Sequence, residues 1–297
     1  MSVTLYLMSK KGYEVLHSLV TNNFKKHITE VIIGRDKSVL NDYSENIISL
    51  CKTHALIYFE RNDTYSITSD FSIAISWRWL IKSNSSKLII LHDSLLPKYR
   101  GFAPLVNMLI NQEKEIGVSA IFASEEYDKG DLITQSSTKI EYPIKISKAI
   151  DLITINYIEV VTEIMEKIKQ KDTIIANKQN EELASYSLWR DEDDYSINWE
   201  QSAVSILNFI NAVSSPYLGA STYINGSQKI RILEAELEKD VVIENRDVGK
   251  IIFIKNNHPV IVCKTGLIKL INVIDDETKQ NILPFKKFRI KFTDKKK

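Results

Sequence analysis

Five histidines occur in the chain, and one of them, His92, sits where a histidine can do chemistry. It closes Leu88-Ile89-Ile90-Leu91, an apolar run that reads as a buried strand. It opens the polar loop Asp93-Ser94-Leu95-Leu96-Pro97-Lys98-Tyr99-Arg100-Gly101, punctuated by Pro and Gly. Thirty-six positions on, Asp128 stands in a second polar loop, residues 124–131, between two further strand-like runs. An imidazole oriented by a carboxylate, which also stabilises its protonated form, is a ready general base. The chemistry would be removal of a proton from an incoming nucleophile. Residue type alone leaves a second reading open, with His92 as a loop or packing histidine and Asp128 as a turn residue two places before Gly130. Asp93 likewise reads as an exposed loop carboxylate or as a charge that tunes His92.

The sharper reading requires a fold that brings the two loops together. Residues 3–8, 31–33, 55–59, 72–75 and 88–91 read as strands, with helices between them at 13–20 and 47–50. Apolar runs alternating with amphipathic helices predict an α/β domain built on a Rossmann-like, mostly parallel sheet covered on both faces. Ligands in such folds sit outside the carboxyl ends of the strands, which is where the His92 loop emerges. No G-x-G-x-x-G is present; Ser9-Lys10-Lys11-Gly12 is a weak substitute, and no dinucleotide site is read there. A helix is expected from 103 to 111, strands at 117–123 and 132–135, and a long amphipathic helix over 144–169. Residues 170–182 are polar and Lys-rich and read as a linker or exposed connection. The remainder changes character. One helix, about 200–213, precedes strands at 220–224, 229–233, 250–254, 260–263 and 268–273, separated by turn signals such as Asn225-Gly226. The expected division is a domain over 1–182 and a smaller, β-barrel-like domain over 183–297.

Composition narrows the classes. Of 297 residues, 44% are hydrophobic and 26% charged, an ordinary globular balance. Lys+Arg 39 against Asp+Glu 38 leaves a net charge near +1, which gives no overall electrostatic footprint for nucleic acid. The basic end of the chain, 285–297, reads as a last strand with a frayed tail, or as a polyanion contact. Cys51 and Cys263 are far apart, with no CxxC partner and no His cluster, so neither a metal site nor a disulfide framework is expected. No leader-like segment and no run of about 20 apolar residues is visible, and the expectation is a cytoplasmic protein with no membrane contact.

The segment from Leu91 to Gly101 resembles the His-x-Ser-Leu-Leu-Pro-x-x-x-Gly signature of formyltransferases that use N10-formyltetrahydrofolate. Asp128-Lys129-Gly130-Asp131-Leu132-Ile133 is similar to the Asp-x-Gly-(Asp)-Ile motif of that family, at matching separation. The resemblance extends through Ser76-Trp77-Arg78-Trp79-Leu80-Ile81, Ala103-Pro104-Leu105 and Gly117-Val118-Ser119. It resumes at Trp189-Arg190-Asp191, Ile197-Asn198-Trp199 and Pro216-Tyr217-Leu218-Gly219-Ala220, and so covers most of the chain. It implies a formyltransferase fold and activity, with N10-formyltetrahydrofolate as co-substrate and no metal. His92 would take the proton of an attacking amine, and Asp128 would orient His92 or relay that proton. The folate would contact Ser76, Trp77, Arg78, Leu80, Tyr127 and Asp131; core packing is an equal reading for Trp77. The acceptor would contact Lys98, Tyr99, Arg100 and Gly101, although a solvated loop is an equal reading for Lys98 and Arg100. The stretch Lys98 to Pro104 is closest to the branch acting on nucleotide-linked amino-dideoxy sugars, which is the favoured acceptor class; a homodimer is compatible with it. Methionyl-tRNA is the alternative acceptor.

One departure stands out. The family places Asn two residues before the histidine, and this chain has Ile90. Isoleucine cannot donate a hydrogen bond to a developing oxyanion. Either protonated His92 or a backbone amide supplies that donor, or a side chain from elsewhere does, or the protein is a slow or non-catalytic binder of folate and sugar nucleotide.

Overall fold

The computed structural model describes every residue except 37, 38, 40, 82–86 and 297. Two compact units are present. The first comprises Met1–Leu105, Lys114–Ile140 and Ala149–Leu188; the second comprises Val106–Glu113, Glu141–Lys148 and Trp189–Lys297.

In chain order the elements that build the first unit and its connections are β1 (Val3–Leu7), α1 (Ser9–Thr21), β2 (Ile28–Ile33), α2 (Ser44–Thr53), β3 (Tyr58–Glu60), β4 (Phe71–Ile75), β5 (Lys87–His92), β6 (Arg100–Gly101), α3 (Pro104–Ile110), β7 (Glu115–Phe122), β8 (Leu132–Lys139), α4 (Ile146–Gln170) and β9 (Tyr186–Ser187). Seven strands form one sheet in the order β3-β2-β1-β4-β5-β7-β8. The first four contacts in that order are parallel and the last two antiparallel. The central strands β1 and β4 are buried at every position. That is why their sequences are continuously apolar or small rather than alternating. Helix α1 buries Val15, Leu16, Leu19 and Val20, the face its spacing predicts. Helix α4 buries Ile146, Ile153, Tyr157, Val160, Val161 and Ile164.

Three expectations need adjustment. The strand read at 55–59 is a three-residue edge strand, Tyr58–Glu60; Ala55 is already in a left-handed turn (φ +47°). On the sheet face carrying Tyr6, Ile32 and Ala74, the partly buried hydrophobics packed against that cluster (Phe59, Tyr65, Ile67, Trp77, Ile81 and Leu88) all lie outside the helices. The polar stretch 170–182 is not a bare linker, because Asn177 exchanges backbone hydrogen bonds with Leu132 at 2.7 and 2.8 Å.

The second unit holds helix α5 (Ala203–Ala212) and strands β10 (Ala220–Ile224), β11 (Gln228–Glu238), β12 (Ile251–Lys255), β13 (His258–Val262), β14 (Leu267–Asp275) and β15 (Phe292–Thr293). Ser202 caps α5 by accepting from Ser205 N–H at 3.1 Å. The six strands are antiparallel, in the order β12-β13-β14-β11-β10-β15. The two ends of this order meet: Lys250 bridges Lys291, and Phe292 N–H donates to Gly249 O at 2.8 Å. The sheet thus curls into a half-barrel, in keeping with the expected barrel-like domain. Phe292 is buried and stacks near Trp199 (centroids 5.5 Å apart), so the chain end carries a core strand ahead of its basic tail.

Candidate active site

His92 is the last residue of β5, at the carboxyl end of the parallel array. Its partners across the sheet are Ser119 on β7 and, one step past the end of β4, the Ser76 position. Its side chain is 8% exposed, and that of Asp128 is 13% exposed. The two are thus shielded from bulk water without being sealed off. His92 Nδ1 lies 3.5 Å from Asp128 Oδ1. His92 Nε2 lies 2.7 Å from Tyr99 O. A carbonyl can only accept, so Nε2 carries the hydrogen of that bond and Nδ1 is the nitrogen left to gain or lose a proton. The other carboxylate oxygen of Asp128, Oδ2, accepts from Gly101 N–H at 2.7 Å. One oxygen is therefore anchored and the other faces the imidazole.

The loop from 93 to 101 holds this arrangement. Ser94 Oγ donates to Lys98 O at 2.6 Å, and Ser119 Oγ, fully buried, donates to Ser94 O at 2.6 Å while accepting from Leu96 N–H. Tyr99 is left-handed (φ +58°), as is Asp128 (φ +57°). Non-glycine residues adopt that region at a cost of order 1 kcal/mol or more and do so where their surroundings impose it. Gly101 (φ +99°) has no such cost. A Cβ there would stand 2.5 Å from Ser187 O, so glycine is required by both conformation and space.

Ile90 shares the His92 face of β5 and is half-buried between Ala74 on β4 and Ile121 on β7. Neither of these two directly opposed neighbours carries a hydrogen-bond donor on its side chain.

Two sequence expectations are corrected. Arg100 does not present itself to an acceptor. Its side chain is 0% exposed, with Nη1 and Nη2 paired to both oxygens of Glu181 at 2.8 and 2.7 Å, and Nη2 and Nε directed at Gln179 Oε1 at 2.8 and 3.2 Å. Asp93 is not an exposed loop carboxylate. It accepts from Lys11 Nζ on α1 and from Tyr157 OH on α4, both at 2.5 Å. Burial pushes the Asp93 carboxyl up, but the charge and hydrogen bond of Lys11 and the bond from Tyr157 outweigh it and hold the group below its ordinary value. Tyr157 is pushed well above its ordinary value by burial and by Asp93.

The remaining predicted residues fall into two groups. Tyr99 and Gly101 touch the His92–Asp128 pair directly through main-chain atoms, and Ser76 stands at the same strand ends. Tyr127 is exposed and its ring lies near that of Phe102 (centroids 6.3 Å); Lys98, Leu80 and Asp131 are exposed as well. Arg78 pairs with Asp36 at 2.7 Å. Trp77 packs edge-on against Tyr6 at 5.1 Å and Trp79 at 5.2 Å, the core-packing reading, yet its Nε1 is buried and has no hydrogen-bond partner among the described residues. The two cysteines are buried, and burial pushes both thiols up to about 12, so neither is a thiolate at neutral pH. No group of three or more His, Cys, Asp or Glu placed to hold a metal ion occurs among the described residues. Among them, too, no helix is long and apolar enough to cross a membrane.

Comparison with known proteins bears on the family and the fold. Residues 67–148 match the formyl transferase family, and residues 190–287 match the formyl transferase C-terminal domain. The chain belongs to the formyl transferase family. Among curated relatives, a methionyl-tRNA formyltransferase of Syntrophomonas wolfei is 30% identical over 166 residues, 54% of this chain and 52% of the relative. The chain thus spans about half the length of that relative. Among solved structures, the N-formyltransferase of Helicobacter canadensis in complex with folinic acid and dTDP-3-aminofucose superposes with a TM-score of 0.65 at 17% identity, covering 91% of this chain and 98% of that one. HypX of Aquifex aeolicus in complex with tetrahydrofolic acid gives 0.63 at 18% identity, covering 95% of this chain and 45% of that one. At these identities the two structures speak for the fold.

Proposed function

We propose that the protein is an N-formyltransferase that moves a formyl group from N10-formyltetrahydrofolate to the amine of a nucleotide-linked amino-dideoxy sugar. The chemistry is assigned to residues 1–182, and 183–297 form a smaller C-terminal domain. The observation that carries the reading is the placement of His92 and Asp128, distant in sequence, 3.5 Å apart at the carboxyl ends of the strands, with each group anchored by a separate backbone bond. In the reaction the acceptor nitrogen attacks the formyl carbon and forms a C–N bond. The C–N10 bond then breaks, and N10 leaves carrying, in place of the formyl group, the proton that His92 has taken from the acceptor nitrogen and passes on. The proton shed by the acceptor nitrogen goes to His92 Nδ1, since Nε2 is tied to Tyr99 O. Asp128 Oδ1 faces the imidazolium so formed, which would stabilise it. Ile90 offers no donor for the tetrahedral oxyanion, so protonated His92, a backbone N–H or a side chain from elsewhere would take that task.

For the folate, exposed Tyr127, Leu80 and Asp131 and the unpartnered Trp77 Nε1 near Ser76 are groups that could meet the ring and its edge. Lys98, Tyr99 and Gly101 are the proposed acceptor side. The near-neutral balance of charge favours a small acceptor over a nucleic acid. The Helicobacter canadensis enzyme, 98% of which this chain covers, holds a nucleotide-linked amino sugar in its structure, which is in line with the same choice. The reading is of a cytoplasmic enzyme. A second reading, formylation of methionyl-tRNA, is favoured by the names of the curated relatives.

Incubation with the formyl donor and a panel of nucleotide-linked amino sugars, alongside charged initiator tRNA, separates the readings. A formylated sugar is the expected product. Formylated methionyl-tRNA alone would move the acceptor to the second reading. Tight binding of both ligands with no product would make the protein a non-catalytic binder.

A further inference from the structure

We infer that Gln179, held by the buried guanidinium of Arg100, is a positioning residue for the His92–Asp128 pair. The inference rests on the catalytic reading of that pair. Gln179 lies in the polar stretch after α4, far in sequence from either group. Its side-chain amide is nevertheless engaged at both ends. Oε1 accepts from Arg100 Nη2 and Nε, at 2.8 and 3.2 Å. Nε2 donates to Asp128 O and to Gly130 O, both at 2.8 Å. Those two carbonyls are that of Asp128 itself, which is left-handed, and that of Gly130 just after it. Both protons of one amide thus pin the main chain on which the carboxylate depends. The strain at Asp128 is tolerated because these bonds, and the bond from Gly101 N–H to its side chain, over-determine the turn.

Arg100 is what holds Gln179. It is fully buried, and its charge is balanced by Glu181, whose carboxyl the guanidinium holds below its ordinary value. A planar fork that contacts a carboxylate and an amide oxygen together is a geometry only arginine provides. Its backbone is fixed as well. Arg100 N–H donates to Ser185 O at 2.9 Å, and β6 pairs with β9 in parallel. Three successive residues therefore act on the pair from one place. Tyr99 O orients His92, the Arg100 side chain acts through Gln179 on the Asp128 main chain, and Gly101 N–H holds the Asp128 carboxylate.

Gln179→Glu tests this directly. Glutamate keeps an oxygen for Arg100 but cannot donate to the two carbonyls, so the clamp on 179–187 survives while the pin on Asp128 is lost. The expected result is a fall in kcat of about tenfold or more with KM for both substrates within about twofold, a fraction of the contribution typical of acid–base groups. Independently of turnover, the ¹⁵N resonance of His92 Nδ1 should shift from its position in the unmodified protein toward its position in Asp128→Asn. Gln179→Met, which removes both donors and adds no charge, is read in the same way and serves if the glutamate variant does not fold. A His92 Nδ1 resonance unchanged in the folded Gln179 variant, but shifted in Asp128→Asn, would overturn the inference. Absence of formyl transfer by the unmodified protein, with the resonance shift observed, would instead remove the functional reading and leave the positioning role standing.

Discussion

Ile90 and His92 stand two positions apart on one face of β5, and their contrast frames the chemistry. His92 is the proposed proton acceptor, with both ring nitrogens directed; Ile90 is an apolar group where a donor would be useful. Loss of one oxyanion donor costs roughly 10²–10³ in rate in other enzymes. Ile90→Asn is therefore expected to raise kcat, read in a steady-state formyl-transfer assay; an unchanged or lower kcat in a folded variant would show that another group already supplies the donor. Asp93 carries a different lesson at the same scale. Its charge is matched by Lys11, and removing one member of a buried pair leaves the other uncompensated, at about 3–5 kcal/mol. Lys11→Met should lower the urea-unfolding free energy by that order, and an unmoved transition would contradict the pairing. The pH dependence follows from the depressed carboxyl. Its stabilisation is complete above the unfolded value of about 3.9 and disappears as pH falls through the lower folded value, so acid should weaken the protein in that window. The residue pattern disclosed His92 and Asp128 because both punctuate loops at strand ends. It did not disclose Lys11 and Tyr157 as partners of Asp93, since each lies on a different helix and no local spacing links them.

At the scale of elements, the two-residue strands β6 and β9 tie the His92 loop to the stretch that follows α4. Gly101 permits their approach, and Gly101→Ala would place a methyl group within 2.5 Å of Ser187 O at a φ that L-residues avoid. The expected outcome is loss of stability of about 1–3 kcal/mol from backbone strain together with loss of activity, measured by thermal unfolding and by turnover. An alanine variant of unchanged Tm would show that the pairing is dispensable. The long helices and buried central strands were legible because apolar periodicity is a local property. The role of residues 177–187 was not, because a polar sequence carries no signal of its partner. Asn177 finds Leu132, Gln179 finds Asp128 and Glu181 finds Arg100 only through the folded chain. The burial of Arg100 is hidden for the related reason that an arginine in a Gly-bounded loop reads as solvated or ligand-facing until its partners are known.

For the whole molecule, charge bears on the proposed choice of acceptor. A chain with net charge +1 has little to gain from counterion release, whereas a protein neutralising six to ten phosphates loses about 10³–10⁵ in affinity between roughly 50 and 200 mM salt. The kcat/KM for a nucleotide-linked amino sugar is expected to change by less than about tenfold over that range. A steep decline would instead indicate a polyanionic acceptor and give the basic C-terminal stretch a role. The α/β unit and the closed antiparallel unit were both apparent from the change in strand and helix rhythm along the chain, since parallel and antiparallel sheets impose different connection lengths.

The most direct test is single-turnover transfer from N10-formyltetrahydrofolate by His92→Asn and Asp128→Asn beside the unmodified protein. The expected result is product from the unmodified protein and a fall of about 10²–10⁴ in the chemical step when the imidazole is removed, with a smaller loss at Asp128. Undiminished transfer by His92→Asn would contradict the assignment of the proton to that ring.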